Sequence, residues 1–278
     1  MSANNTNLLS FDGFQVDPKR PTDAWRNLSP QQSHQVIAAP RLHDGPSVRI
    51  VCISDTHCKH AQLQIPDGDI LIHAGDISSV GHPHQLQRFV DWLTGLPHRH
   101  KIVIAGNHDL TLDKAYYERS WQRFHYRSGR LDDDLARQVM TNQAAFHYLV
   151  DEEICVAGIR VYGSPWQPQF FDWAFNLERG KPCALAWKKI PAGVDIVVTH
   201  GPPLGHGDQT STGQRAGCVN LLHEIQYRIQ PKYHVFGHIH EGYGVTTDGT
   251  TTYVNASSCT LKYVASNPPI VFDIQPNL

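Results

Sequence analysis

The chain has 278 residues, 40% of them apolar and 18% charged, so it is long enough to bury a core, and its composition argues against fibrous, collagenous and disordered classes. Its 24 basic and 26 acidic side chains leave a formal charge of −2, which argues against duplex nucleic acid as a partner held by bulk charge. Eighteen histidines suggest metal or acid/base chemistry, because histidine is the commonest protein metal ligand and titrates near neutral pH.

Residues 1–46, rich in Asn, Gln, Pro and Asp, read as an irregular leader with one short helix near Thr22 to Leu28, ordered only where it packs on the body. The start of the chain carries no basic segment followed by an apolar run, and no stretch approaches the ~18 apolar residues of a membrane span. The six cysteines are scattered without a Cys-x-x-Cys pair, so reduced thiols and a cytoplasmic location are expected. Five β-branched runs follow within a single domain over 47–278: Val48 to Ser54, Asp69 to Ala74, Lys101 to Ala105, Asp195 to Thr199 and Lys232 to Phe236. Helical patterns lie between them at His84 to Leu96, Lys114 to Ala145 and Val219 to Ile229. An Asp248-Gly249 turn between alternating runs predicts a hairpin, which Ile159 to Tyr162 and Ile270 to Ile274 extend into a second group of strands. The expected class is α/β: two mixed β-sheets packed together and flanked by helices.

Each of the five buried runs is followed by polar residues. The first leads into Asp55-Thr56-His57, the second into Gly75-Asp76, and the third into Gly106-Asn107-His108-Asp109. The fourth leads into His200 and the fifth into Gly237-His238-Ile239-His240. The carboxyl edge of an α/β sheet is where ligands bind, so parallel strands would bring these clusters to one rim. Carboxylate, imidazole and amide oxygen without thiolate suit Mn, Fe, Zn or Mg. Asp55, His57, Asp76, Asn107, His200, His238 and His240 are too many ligands for one ion, whereas two ions sharing a carboxylate would use them all. Extended backbone would point Asp55 and His57, and likewise His238 and His240, to the same side.

These blocks, in this order, resemble the calcineurin-like metallophosphoesterase superfamily. A closer similarity, over about Val48 to Ile274, is to the metallophosphoesterase-domain-containing phosphodiesterases, carried by Cys52-Ile-Ser-Asp-Thr-His57, Gly68 to Asp76, Lys101 to Asp109, Thr199 to Gly205 and Val235 to Asn255. The resemblance implies a four-layer αββα sandwich and two divalent ions, Mn²⁺ first, with Fe, Zn or Mg as alternatives. One ion would be held by Asp55, His57, Asp76 and His240, the other by Asp76, Asn107, His200 and His238, with Asp76 bridging. Some members of the closer family carry glycine where this chain has His238, so the full set favours a competent catalyst. The Val-Asp-Arg-Gly of protein Ser/Thr phosphatases is replaced here by Ile-Ser-Ser-Val-Gly after Asp76.

The implied reaction is hydrolysis of small phosphodiesters, with cyclic nucleotides as the substrate class, by a metal-bridging hydroxide. His108 is the expected proton donor, and Asp109 either orients it or supports the local turn. Trp166, in an aromatic segment over 163–175, is a candidate wall for a nucleobase or else core material, and Arg215 either meets a phosphate or forms a surface ion pair. The alternative is a nucleotide-binding regulator with little turnover. Neither reading identifies an oligomeric state.

Overall fold

Short runs of β-branched residues form strands, and amphipathic segments between them form helices that cover the sheets. The computed structural model describes residues 8–38 and 46–276. Strands β1 (Leu9–Phe11) and β2 (Phe14–Val16), helix α1 (Pro21–Leu28) and strand β3 (Gln35–Ile37) come first. They are followed by β4 (Val48–Ile53), β5 (Ile70–Ala74), α2 (Pro83–Thr94) and β6 (His100–Ile104). Helices α3 (Lys114–His125) and α4 (Asp133–Thr141) precede β7 (His147–Tyr148), β8 (Glu152–Val156) and β9 (Ile159–Ser164). Next are β10 (Gln167–Pro168), β11 (Asn176–Leu177), α5 (Lys181–Trp187), β12 (Ile196–Thr199), α6 (Val219–Glu224) and β13 (Tyr233–Phe236). Strands β14 (Gly244–Thr247), β15 (Thr252–Asn255) and β16 (Ile270–Ile274) complete the described chain.

Two mixed sheets form the body. One has the order β16-β4-β5-β6-β7, the other β3-β14-β15-β13-β12-β9-β8. Strand alternation decides what each face covers. Ile50 and Cys52 of β4 pack toward the second sheet against Val161, Val198 and Val235, whereas Val51 and Ile53 face Leu86, Phe89 and Leu93 of α2. On the far side, Val197 and Phe236 pack against Trp187 of α5 and Leu221 of α6. The result is the expected four-layer αββα sandwich, and none of the described helices is long and apolar enough to cross a membrane.

Three expectations about elements need correction. The five buried strands do not share a sheet: β4, β5 and β6 lie in one, β12 and β13 in the other. β16 belongs with the first group rather than the second, antiparallel to β4 with Phe272 opposite Ile50. The helical region from Lys114 is broken into α3 and α4, because Gly129 takes a left-handed φ of +81° and Asp132 caps a new helix by accepting from Leu135 N at 2.8 Å.

Residues 9–37 are structured rather than irregular. β3 pairs antiparallel with β14, extending the seven-stranded sheet. Phe11, Val16, Ala24 and Leu28 bury themselves against Leu204, Val219 and Leu222. Three-residue strands are too short to show a hydrophobic period, which is why only the helix is legible in the sequence.

Candidate metal centre

The strands end before the polar clusters begin. Asp55, His57, Asp76 and His238 all have left-handed backbone, with φ of 52°, 41°, 57° and 67°. Asp55 and His57 therefore converge by leaving the pleat, not by following it, and this corrects the extended-backbone expectation. Each such residue costs of order 1–3 kcal/mol unless its surroundings over-determine it. Here Asp55 N donates to Gly75 O at 2.9 Å and His57 N to Asp76 O at 3.0 Å. His238 N donates to the Asp55 carboxylate at 3.0 and 3.1 Å, so a residue from one sheet is tied to a residue from the other.

All seven expected ligand residues converge, in overlapping groups. Potential ligand atoms of Asp55, His57 and His240 lie within 4.8 Å of one another, as do those of Asp76, His200 and His238. Asn107 joins the second group, its Oδ1 being 3.1 Å from His200 Nε2. Asp76 Oδ2 is 3.7 Å from His57 Nε2 and 3.4 Å from His200 Nε2, so one oxygen faces both groups. The other, Oδ1, accepts from His108 N at 2.8 Å. His238 and His240, two residues apart, face different groups.

The hydrogen bonds say which atoms are available. His200 Nδ1–H donates to Ala74 O at 2.9 Å and His240 Nδ1–H donates to Thr260 O at 3.0 Å. In a neutral imidazole this leaves the Nε2 lone pair facing inward. That lone pair meets Asp76 Oδ2 and Asn107 Oδ1 at His200, and Asp55 Oδ1 at 3.4 Å and His57 Nε2 at 3.3 Å at His240. Acceptors facing acceptors repel unless a cation or a proton lies between them. Burial works against a charged His200, yet the Asp76 carboxylate overrides it and lifts the imidazole to about 9. Burial also opposes ionisation of Asp76, but the neighbouring His200 and His108 hold it well below the usual carboxylate range. Burial pushes His57 down to about 4 and, with the charge of His200, His238 to about 3, so both are neutral at pH 7, the form in which an imidazole can bind a metal. This donor set fits divalent cations.

His108 sits half-buried beside these groups. Its Nδ1–H donates to Ser79 O at 2.9 Å, and its ring stacks on Trp173 with centroids 4.2 Å apart. Asp109 is fully buried beneath it and accepts from Gly106 N, Ile77 N, Ser78 N and Ser78 Oγ at 2.7–3.2 Å. It ties two ligand loops together, so of its two expected roles the turn support is the one seen; the carbonyl of Ser79 orients His108. Burial and the nearby Asp76 charge lift the Asp109 carboxyl to about 6.

The chain is similar to known proteins over most of its length. Residues 48–242 match the calcineurin-like phosphoesterase family. Metallophosphoesterase domain-containing protein 1 of Homo sapiens is 49% identical over 252 residues, covering 88% of this chain and 77% of that protein; the Mus musculus protein matches equally. UPF0046 protein T07D4.2 of Caenorhabditis elegans is 41% identical over 287 residues, covering 97% of this chain and 70% of that one. The chain belongs to the calcineurin-like phosphoesterase family. It is a metal-dependent phosphoesterase of the metallophosphoesterase-domain-containing type. A solved crystal structure, 16% identical, shares the fold with a TM-score of 0.53, covering 76% of this chain and 90% of that one.

In this phosphoesterase the cluster of candidate ligands opens into a cavity of about 210 Å³. Neither residue expected to meet substrate lines it. Trp166 packs against core residues and its Nε1–H donates to Asp151 Oδ2 at 3.1 Å. Arg215 pairs with buried Asp208 at 2.7 Å and lies over the Trp25 ring. Phe170, four residues beyond Trp166, reaches the cavity instead, edge-on to His238 at 4.9 Å. Tyr263 stands over the other side, edge-on to His57 at 4.8 Å. Nothing local distinguishes Phe170 from its aromatic neighbours, and Tyr263 lies after the last block that the sequence singled out. Ser257, also missed, donates from Oγ to Asp55 Oδ2 at 2.9 Å.

The glycines before the ligands are steric requirements. A Cβ at Gly237 would lie 2.0 Å from Asp55 Oδ2, and one at Gly106 would lie 2.3 Å from Asp76 Oδ1. Gly237→Ala is expected to displace the Asp55 carboxylate and weaken Mn²⁺ binding by about 10–100-fold, the usual cost of losing the support of a ligand. Titration calorimetry checks this. Unchanged affinity in the folded variant would remove Asp55 from the ligand set.

Proposed function

We propose that the protein is a dinuclear metal-dependent phosphodiesterase acting on small diesters, with cyclic nucleotides as the substrate class. The observation that carries the reading is Asp76, one oxygen of which faces a histidine from each of two ligand groups. Asp55, His57, Asp76 and His240 would hold one cation, and Asp76, Asn107, His200 and His238 the other. When bound, such a pair, with Mn²⁺ as the first candidate, supplies an activated water as nucleophile and neutralises phosphate charge.

The residues of the chain do the rest. His108, with Nδ1–H fixed by Ser79, presents Nε2, which in the imidazolium form carries the proton that passes to the leaving oxygen as its bond to phosphorus breaks and leaves the ring neutral. Diester specificity is supported by charge: no lysine or arginine is among the described residues lining the cavity. A phosphomonoester dianion calls for such a cation, whereas a diester carries one negative charge that the metals neutralise. Phe170, Leu261 and Tyr263 offer apolar surface to the organic part of the substrate. A cavity of about 210 Å³ is below the ~300 Å³ of ordinary ligand pockets, which suits a compact diester better than a strand of nucleic acid.

Hydrolysis of bis(p-nitrophenyl) phosphate and of p-nitrophenyl phosphate in Mn²⁺ is expected to favour the diester by at least about tenfold in kcat/KM. A monoester preference would overturn the diester assignment. No turnover with Mn²⁺, Fe²⁺, Zn²⁺ or Mg²⁺ would favour a nucleotide-binding regulator instead. A screen of 2′,3′- and 3′,5′-cyclic nucleotides then tests the substrate class.

A further inference from the structure

The leader packs on the loop that follows His200. Beyond ligand His200 the chain runs through Gly205 and Thr210 to Arg215, and Thr210 lines the metal cavity. The excursion has few regular elements, and most of its hydrogen bonds are its own. Buried Asp208 accepts from Arg215 Nη1 and from Gly217 N, and Thr210 N donates to Gln214 O at 2.9 Å. Ser211 N donates to Glu241 Oε1 at 2.7 Å, joining the loop to the residue after ligand His240.

The outer face of this loop is covered by α1 of the leader. The Trp25 indole lies directly on Gly205, where a Cβ would be 2.1 Å from the ring. The Arg215 guanidinium sits 5.1 Å from the Trp25 ring centroid, a cation–π distance. Thr22 Oγ1 accepts from Arg215 N at 2.9 Å and donates to Gln214 Oε1 at 3.0 Å. Leu28 and Ala24 pack on Leu204. Two points of the loop, Gly205 and Gln214–Arg215, are therefore clamped by one helix, and the cavity residue Thr210 lies between them. β3 meanwhile pairs with β14, the strand that leaves Tyr243 three residues beyond ligand His240.

We propose that the leader is a working part of the catalytic unit and that Trp25 is a positioning residue, holding the 205–215 loop so that Thr210 forms one wall of the substrate cavity. The inference rests on the phosphodiesterase reading for its kinetic arm only. Trp25 touches neither substrate nor metal ligand. Its removal loosens a cavity wall while His200 stays fixed by β12 and by its bond to Ala74 O.

Trp25→Ala is therefore expected to raise KM for bis(p-nitrophenyl) phosphate at least about fivefold, with kcat and bound metal within about twofold of wild type. Trp25→Phe, which keeps a ring on Gly205, is expected to restore most of the lost KM. Hydrogen exchange supplies a readout independent of turnover: amides of 205–215 lose protection by about tenfold or more in Trp25→Ala, whereas those of β4 and β5 do not. Thr22→Val, a milder change at the second clamp, repeats the pattern more weakly and serves if Trp25→Ala does not fold. Unchanged loop protection, or an unchanged KM in an active protein, overturns the proposal. Wild-type protein without diester turnover overturns the phosphodiesterase reading and leaves the exchange result to decide the role of the leader.

Discussion

Asp76→Asn is expected to lower kcat for diester hydrolysis by at least about 10³-fold, equivalent to ~4 kcal/mol of transition-state stabilisation. The shape of the side chain is conserved, so the effect isolates charge and donor type. Asp76 Oδ2 faces His57 and His200 at once, and Oδ1 is committed to His108 N. With the amide oxygen kept on His108 N, the new NH₂ points at Nε2 of both histidines. It then donates where a cation has to be accepted. Metal analysis of the purified variant is expected to show at most one tightly bound divalent ion per chain, against two in wild type. A variant that retains both ions and more than about a tenth of the activity would show that Asp76 does not bridge.

His108→Ala has the second largest expected effect, and its size depends on the leaving group. For a diester with an alkoxide leaving group, loss of a general acid costs about 10²–10⁴-fold in kcat. For a p-nitrophenyl diester the leaving phenolate is stable without a proton, so the loss shrinks to about tenfold or less. The ratio of the two losses is the measurement. Equal losses would make His108 a stabiliser of charge at phosphorus rather than a proton donor. Metal content separates a further outcome, because an imidazole nitrogen of His108 also lies within 4.8 Å of ligand atoms of His57 and Asp76. Loss of an ion together with activity would make His108 a ligand. The ring lies half-buried against Trp173 and not in the main core, so its removal leaves the fold standing.

The chemistry of the site was legible because it sits in short, contiguous blocks. Asp55 and His57, Asn107 and His108, and His238 and His240 each follow a buried run directly. Local hydrophobic pattern locates the end of a strand to within a residue or two, and hence the ligands beyond it. The two aromatic positions were not legible. Trp166 and Phe170 belong to one segment of similar composition, and only the anchoring of Trp166 to Asp151 turns the first toward the core and leaves the second at the cavity. Arg215 likewise reads as a phosphate contact until buried Asp208 is seen to hold it.

By itself the sequence determined which side chains are candidates for the chemistry, that their donor types suit divalent cations, and that strands and helices alternate around them. Those properties depend on residue type and on neighbours a few positions away. Tertiary structure alone decided that β4, β5 and β6 share one sheet while β12 and β13 share another, that β16 crosses to pair with β4, and that the leader grips the loop beside the cavity. These are pairings between segments far apart in the chain, selected by which buried surfaces fit one another, and a one-dimensional period carries no record of its partner. The eighteen histidines divide in the same way. His73 lies within β5 and is bonded to Thr56 inside the core, whereas His200 directly follows β12 and faces Asp76; the position relative to the strand is legible in the sequence, the partner is not.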